Sequence, residues 1–392
     1  MTQDRTPNQN PCQQAIVADR VFDGARWHQD AAVLVEAGRV IALAARADVP
    51  VGWPEQPLPA GSILAPGFID LQVNGGGGVL LNDDPTPETM QAIARAHRRF
   101  GTTACLPTLI TDTRECTQVA IAAARTAAGR DGVLGIHLEG PFISPQRPGI
   151  HRRDRIAQAS LDDLEWLADL AGAGRSLVTL APECTPPGFV RGLARAGIRV
   201  SVGHSEATAE TLRAAVEDGL SGVTHLFNAM PPMAGRAPGI LGAALADARL
   251  TAGIIVDGLH VDPISVRAAF AAKGADGLAL VTDAMPTVGA ASDHFQLMGR
   301  KITLADGKLT GEDGTLAGAH LDMASAVRNA VQMAGIPLGD ALRAASLTPA
   351  RFLEIANERG LIVPGARADF VALTPELNVI ATWVEGGALF EV

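Results

Sequence analysis

Glu139, His204 and His225 supply one carboxylate and two imidazoles, a donor set that suits a catalytic zinc ion and leaves a coordination position for water or substrate. A divalent ion held by them would lower the pKa of bound water toward neutrality and polarise a carbonyl oxygen. Iron, manganese or cobalt can occupy the same kind of site. Asp283 follows an apolar run, where a carboxylate could take the proton of the activated water and return it to a leaving nitrogen. Its other reading is a carboxylate that orients a ligand histidine. His151 sits in a proline-rich loop (Pro141, Pro145, Pro148), placed either to steady a developing oxyanion or simply in solvent. Arg236 and His260, with neighbouring backbone N–H groups, would make a phosphate grip, unless Arg236 is only a solvated side chain.

Residues this far apart need a scaffold that brings them together. Apolar runs of strand character lie at 68–73, 103–109, 133–138, 177–181, 200–204, 223–227, 254–257 and 278–282. Segments of helical period separate most of them, among them 89–100, 161–171, 209–218 and 263–272. Eight strands alternating with helices predict an α/β fold, a (β/α)8 TIM-like barrel whose functional groups gather at the C-terminal ends of the strands. An open doubly wound sheet shows the same alternation, but no glycine-rich dinucleotide turn follows the first strand. Five of the eight runs end in or are followed by His, Glu or Asp: His137-Leu138-Glu139, Gly203-His204, Thr224-His225, Asp257 with His260, and Thr282-Asp283. Burying such groups costs several kcal/mol unless a metal or partner compensates, so stability alone does not account for the pattern.

Outside the barrel the chain reads as strands again. Ala15-Ile16-Val17 and Ala32–Val35 are bounded by the turn signals Asp23-Gly24 and Ala37-Gly38, and a second strand-rich stretch runs from Asp369 to Val384. The predicted organisation is a flexible polar tail (1–14), a small β-sandwich domain made of 15–62 plus 355–392, and a barrel over 63–354. A hairpin around Ala305-Asp306-Gly307, spanning 296–310, interrupts the barrel after its eighth strand.

Composition narrows the function classes. Hydrophobic residues make up 47% and charged ones 19% of 392 residues, the balance of a globular chain with a large core. A net charge of −10 argues against a nucleic-acid partner, which requires a basic face. The four cysteines form no CxxC pair, and the N-terminus lacks the basic-then-apolar pattern of a signal peptide. No window reaches about 18 apolar residues, so no membrane span is expected. A soluble cytoplasmic protein is the expectation.

Taken in order, six motifs resemble the N-acetylglucosamine-6-phosphate deacetylase family of the amidohydrolase superfamily. They are Pro66-Gly67-Phe68-Ile69-Asp70-Leu71-Gln72-Val73-Asn74-Gly75, His137-Leu138-Glu139-Gly140-Pro141-Phe142, Gly203-His204-Ser205, Thr224-His225-Leu226-Phe227-Asn228-Ala229-Met230, Asp257-Gly258-Leu259-His260 and Thr282-Asp283-Ala284-Met285. Each is weak alone; their order and spacing match from about Ala65 to Ala350. The resemblance implies that Glu139, His204 and His225 hold one divalent metal per subunit, zinc first, and that Asp283 is the general base and acid. It implies that Ile150 and His151 meet the acetamido end of a phosphorylated N-acetyl amino sugar. Asn228, Ala229, Arg236, Asp257 and His260 would bind sugar and phosphate, joined by Leu316, Ala317 and Gly318. It further implies a homodimer in which phosphate contacts can come from the neighbouring subunit, and products of glucosamine 6-phosphate and acetate.

Many amidohydrolases open the barrel with His-x-His, which helps hold a second metal. Gln72 and Asn74 stand there instead, and their amides are poor ligands, so a single tightly held metal is expected. Two other readings fit the same residues: an amidohydrolase for an N-acyl amino acid or cyclic amide, and a barrel that has become a non-catalytic binding module.

Overall fold

Eight of the apolar runs pair in parallel and in chain order. The computed structural model describes residues 13–391. Its barrel strands are β1 (Phe68–Val73), β2 (Thr102–Ile110), β3 (Gly135–Glu139), β4 (Arg175–Leu180), β5 (Arg199–Val202), β6 (Gly222–Val223), β7 (Thr251–Ile254) and β8 (Leu278–Leu280). The ring is brought round beyond β8, where Asp283 N donates to Gln72 O at 2.9 Å and Asn74 N donates to Ala284 O at 2.9 Å. That junction decides against the open sheet, whose edge strands would have no such partners.

Two expected strands are displaced, for an informative reason. The run at 223–227 pairs only over Gly222–Val223, because His225 (φ 31°), Phe227 (φ 79°) and Ala229 (φ 50°) turn into left-handed backbone that cannot continue a ladder. The run at 254–257 pairs earlier, over Thr251–Ile254; Ile255 and Val256 are apolar because they are buried beneath the rim, not because they are paired.

Helices cover the barrel's outside, started by capping side chains. Thr86, Thr113 and Thr208 accept from the N–H groups of Thr89, Cys116 and Thr211, and Asp262 accepts from Ile264 N. The helix expected over 161–171 is shorter: Asp163–Leu167 is α-helical, and Ala168–Gly172 tightens into a 3-10 turn as it runs into Gly172 and Gly174. Among the described residues no helix is long and apolar enough to cross a membrane.

The small domain is one mixed sheet built from both ends of the chain. From the N-terminal side come Gln13–Phe22, Trp27–Glu36, Arg39–Ala45, Glu55–Pro57 and Ile63–Pro66; from the C-terminal side come Phe370–Leu373, Val379–Val384 and Gly387–Glu391. The sheet curls over itself, so that Ala368 N donates to Gly38 O and the Gln14 amide donates to Gly386 O. Ile16, Val33, Leu64, Phe370 and Trp383 share its core. Two boundaries differ from expectation. Gln13 and Gln14 pair with Glu36 and Val35 and so are strand, not tail, while residues 1–12 of that tail lie outside the described residues. Ile63–Pro66 joins this sheet, not the barrel, because it is held between Arg20–Val21 and Phe370–Leu373. Phe370 is fully buried, and Phe370→Ala is expected to cost about 3–5 kcal/mol, read as a lower urea midpoint of the small domain's unfolding.

The insert after β8 has three strands where a hairpin was expected: His294–Leu297, Arg300–Ala305 and Lys308–Gly311. Its second turn is the Asp306-Gly307 pair seen in the sequence. Its first is Met298-Gly299, where methionine takes φ 49° without being a usual turn residue. Leu297, Ile302 and Leu309 pack on Leu80, Ile110, Ile150 and Met285, which fastens the insert over one side of the barrel mouth.

Candidate active site

Three side chains from three strand ends converge. Glu139 closes β3, His204 lies two residues past β5 and His225 two residues past β6. Glu139 Oε1 is 3.1 Å from His204 Nε2 and 2.9 Å from His225 Nε2, and the two nitrogens are 3.0 Å apart. All three residues are buried. Donors on a tetrahedral zinc stand about 3.3 Å from one another, given zinc–nitrogen bonds of about 2.0–2.1 Å. Two neutral imidazoles with facing lone pairs repel at 3.0 Å, and a cation between them removes that conflict. His204 Nδ1 lies 2.7 Å from Arg147 O, a carbonyl that only accepts, so Nδ1 carries the proton and Nε2 the lone pair a metal needs. The residues present therefore fit a divalent ion.

The backbone reaches this arrangement through uncommon conformations. His204, His225 and Asp283 have φ of 48°, 31° and 51°, each costing on the order of 1 kcal/mol for a residue with a Cβ. Each such residue follows the end of its strand and places its side chain at the barrel mouth. Gly318 (φ 60°) has a stricter need: a Cβ there would fall 2.8 Å from Asp283 O and from Met285 Cγ.

Asp283 is held by the first strand. Gln72 Nε2 donates to Asp283 Oδ1 at 3.1 Å and to Glu139 Oε2 at 3.2 Å, and Asn74 Nδ2 donates to Asp283 Oδ1 at 2.6 Å. Of the two amides that replace His-x-His, Gln72 thus ties the carboxylates together and Asn74 adds a second hold on Asp283. Burial, then the charge of Glu139, pushes the Asp283 carboxyl up to about 6. Burial acts on Glu139 in the same direction, but the adjoining His204 and His225 rings overcome it and hold that carboxyl well below its usual range. Burial, reinforced by the nearby His204, pushes His151 down to about 3, so its ring is neutral near pH 7.

A cavity of about 260 Å³ opens beside these groups. Ile150, His151, Asn228, Ala229, His260, Leu316 and Gly318 line it with Glu139, His204, His225 and Asp283, as the sequence led us to expect. Asn74, which the sequence puts where relatives carry a second-metal ligand, also lines it, as do Ile110, Met285, Ile255 and Thr315, which were not anticipated. The strand-end rule would have found Ile110, had it been applied to uncharged residues. The cavity has two characters: Ile110, Ile150, Met285 and Leu316 form an apolar wall, while Asn228 and His260 are polar. A larger groove of about 430 Å³ lies against the helices Ala209–Glu217 and Gly239–Ala246, but its charged lining is only Arg213 and Asp247.

Three expected site residues lie elsewhere. Asp257 does not line the cavity; it accepts from the backbone N–H groups of Leu259 and His260 and bonds His260 Nδ1 at 2.6 Å, orienting that ring from behind. Ala317 is fully buried in the apolar cluster under the insert, because consecutive residues of its extended segment face opposite ways. Arg236 is exposed on the loop after β6, outside the cavity lining, and has no ion-pair partner among the described residues. Because Asp257 fixes His260, Asp257→Ala is expected to raise KM by about tenfold with a smaller change in kcat, measured by steady-state kinetics.

Comparison with known proteins agrees with this geometry. A sequence model of the Amidohydrolase family matches residues 63–389. The chain is 43% identical to the N-acetylgalactosamine-6-phosphate deacetylase of Shewanella sp. (strain ANA-3) over 341 residues, 86% of each chain. It is 36% identical to the N-acetylglucosamine-6-phosphate deacetylase of Haemophilus influenzae over 363 residues, covering 91% of this chain and 94% of the relative. The crystal structure of the N-acetylglucosamine-6-phosphate deacetylase from Pasteurella multocida superposes with a TM-score of 0.92 at 37% identity, over 96% of this chain and 99% of that one.

Proposed function

This chain belongs to the amidohydrolase family, and we propose that it removes the acetyl group of N-acetyl-D-glucosamine 6-phosphate, giving D-glucosamine 6-phosphate and acetate in amino-sugar metabolism. The observation that carries the chemistry is the meeting of Glu139, His204 and His225 beside Asp283 in one cavity. The substrate reading rests on relatives of that activity matched over most of their length.

Glu139, His204 and His225 would hold one divalent ion, zinc by its donor set, which supplies Lewis acidity to the water and to the amide carbonyl. Asp283 takes the proton of the attacking water. Its Oδ1 already accepts from Gln72 and Asn74, so Oδ2 is the basic atom. The same carboxyl then returns the proton to the departing nitrogen. His151 donates a hydrogen bond to the acyl oxygen as charge develops there. The apolar wall takes the acetyl methyl, and the side bearing Asn228 and His260 takes the sugar and phosphate.

A second reading concerns the sugar. The Shewanella relative is named for the galactosamine epimer, so N-acetylgalactosamine 6-phosphate is the competing substrate. Acetate release from both epimers, with metal analysis of the purified protein, tests the proposal. No release from either, with release from an N-acyl amino acid, would overturn it.

We further propose a cytoplasmic homodimer in which Arg236 reaches the neighbouring subunit's phosphate site, in keeping with its exposure and its distance from the cavity lining. Arg236→Ala is expected to raise KM for the phosphorylated substrate at least about tenfold with kcat nearly constant, as loss of one charge-assisted phosphate contact would do. Mixing Arg236→Ala chains with Asp283→Asn chains should restore the low KM if the arginine works across the interface, and should leave KM raised if it works within its own chain.

A further inference from the structure

We propose that Thr111 is a positioning residue that fixes His151 in the Nε2–H tautomer, so that His151 donates into the cavity and stays out of the metal's ligand set. The catalytic consequence rests on the deacetylase reading of the site; the tautomer itself does not.

Thr111 is the first residue past β2 and is almost fully buried. It presents two groups to one nitrogen. Its backbone N–H points at His151 Nδ1 over 3.4 Å, and its hydroxyl oxygen lies 2.7 Å from the same atom. The hydroxyl is also 3.3 Å from Glu139 O. A hydroxyl has one proton, so there are two assignments. If that proton goes to Glu139 O, Nδ1 must donate to the hydroxyl, and its hydrogen then faces the Thr111 amide hydrogen. If it goes to Nδ1, both Thr111 donors meet one lone pair. Both assignments use the 2.7 Å contact, but only the second is free of the clash between the ring and amide hydrogens. A neutral imidazole that accepts at Nδ1 carries its hydrogen on Nε2.

His204 is set the opposite way. Its Nδ1 faces Arg147 O, so its lone pair is on Nε2. The two rings lie 4.4 Å apart, and the ligand atoms available on Glu139, His151 and His204 fall within 4.8 Å of one another. Proximity alone would thus allow His151 to ligate. The tautomer is what separates the two roles: a nitrogen that bears hydrogen cannot bind a cation and can bond an acyl oxygen. Close packing keeps the threonine in place, since a Cβ at Gly140 would stand 2.2 Å from the Thr111 hydroxyl.

The test compares Thr111→Val, which removes the hydroxyl, with Thr111→Ser, which keeps it. In zinc-loaded protein, long-range proton–nitrogen correlation spectra, with the His151 signals assigned by their loss in His151→Asn, should show Nε2–H for wild type and Thr111→Ser. Thr111→Val should show a mixture or the Nδ1–H form. Its kcat should fall about 10- to 100-fold with KM within about threefold, and Thr111→Ser should recover most of the rate. Metal content should match wild type in both variants. A wild-type His151 in the Nδ1–H form, or Thr111→Val turning over at the wild-type rate, overturns the proposal. If Thr111→Val does not fold, the wild-type spectrum decides alone. Failure of the deacetylase reading would look different: no acetate released by wild type, with the tautomer as stated.

Discussion

Asp283→Asn is expected to lower kcat by about a thousandfold or more while the purified variant keeps its metal, the effect of deleting a group that both takes and returns a proton. The substitution leaves the surroundings satisfied. An asparagine can place its Oδ1 where the carboxylate oxygen now accepts from Gln72 and Asn74, so the closure between β1 and the end of β8 survives. What is lost is the basic Oδ2. The same residue sets a pH dependence. The base must be ionised, so kcat/KM falls as pH drops through its pKa. That pKa is about 6 without a cation, raised first by burial and then by Glu139. The charge of a bound cation opposes both causes, so the acid limb of the loaded enzyme lies below 6. A pH–rate profile checks this, and Asp283→Asn should lack the limb. A variant within tenfold of the wild-type rate would show that another group moves the proton.

Removing the cation is the second large effect. Dialysis against a chelator is expected to abolish acetate release, and adding zinc should restore it. Glu139→Gln should be inactive and hold less than about a tenth of the wild-type metal, since the variant loses the only anionic ligand of a buried trio. Zinc should rescue the stripped wild type and fail to rescue the variant. Stability reports the same event without activity. A ligand bound at about a thousandfold above its Kd stabilises the fold by about 4 kcal/mol, so the chelated protein should melt earlier, and Glu139→Gln should not respond to the chelator. Together the two variants separate holding the metal from moving the proton. Asp283→Asn loses turnover and keeps metal; Glu139→Gln loses both. Full activity in thoroughly stripped protein would remove the metal from the reaction.

Most of the site was legible in the sequence because barrel geometry converts position along a strand into position in space. In eight parallel strands every C-terminal end lies on one rim, so position along the chain is enough to gather Glu139, His204, His225 and Asp283 there. The helices were legible too, through their periodicity, while their threonine and aspartate caps emerged with the structure. The strands at 223 and 254 were misjudged because apolarity marks burial, and residues under the rim are buried whether or not they pair.

The sequence by itself thus determined the alternation of strand and helix, the closing of both chain ends into one small sheet, and the chemical types available at the barrel mouth. Only the tertiary structure decided which of those groups touch. It turned Gln72 and Asn74 from absent metal ligands into the amides that hold Asp283, set Asp257 behind His260, sank Ala317 into the apolar cluster, and put Thr111 against His151. The reason is directional. Periodicity reports which face of an element a residue occupies, whereas the left-handed turns at His204, His225 and Asp283 rotate each side chain away from that face, and partners 67 and 211 positions from Gln72 meet only once the barrel has closed.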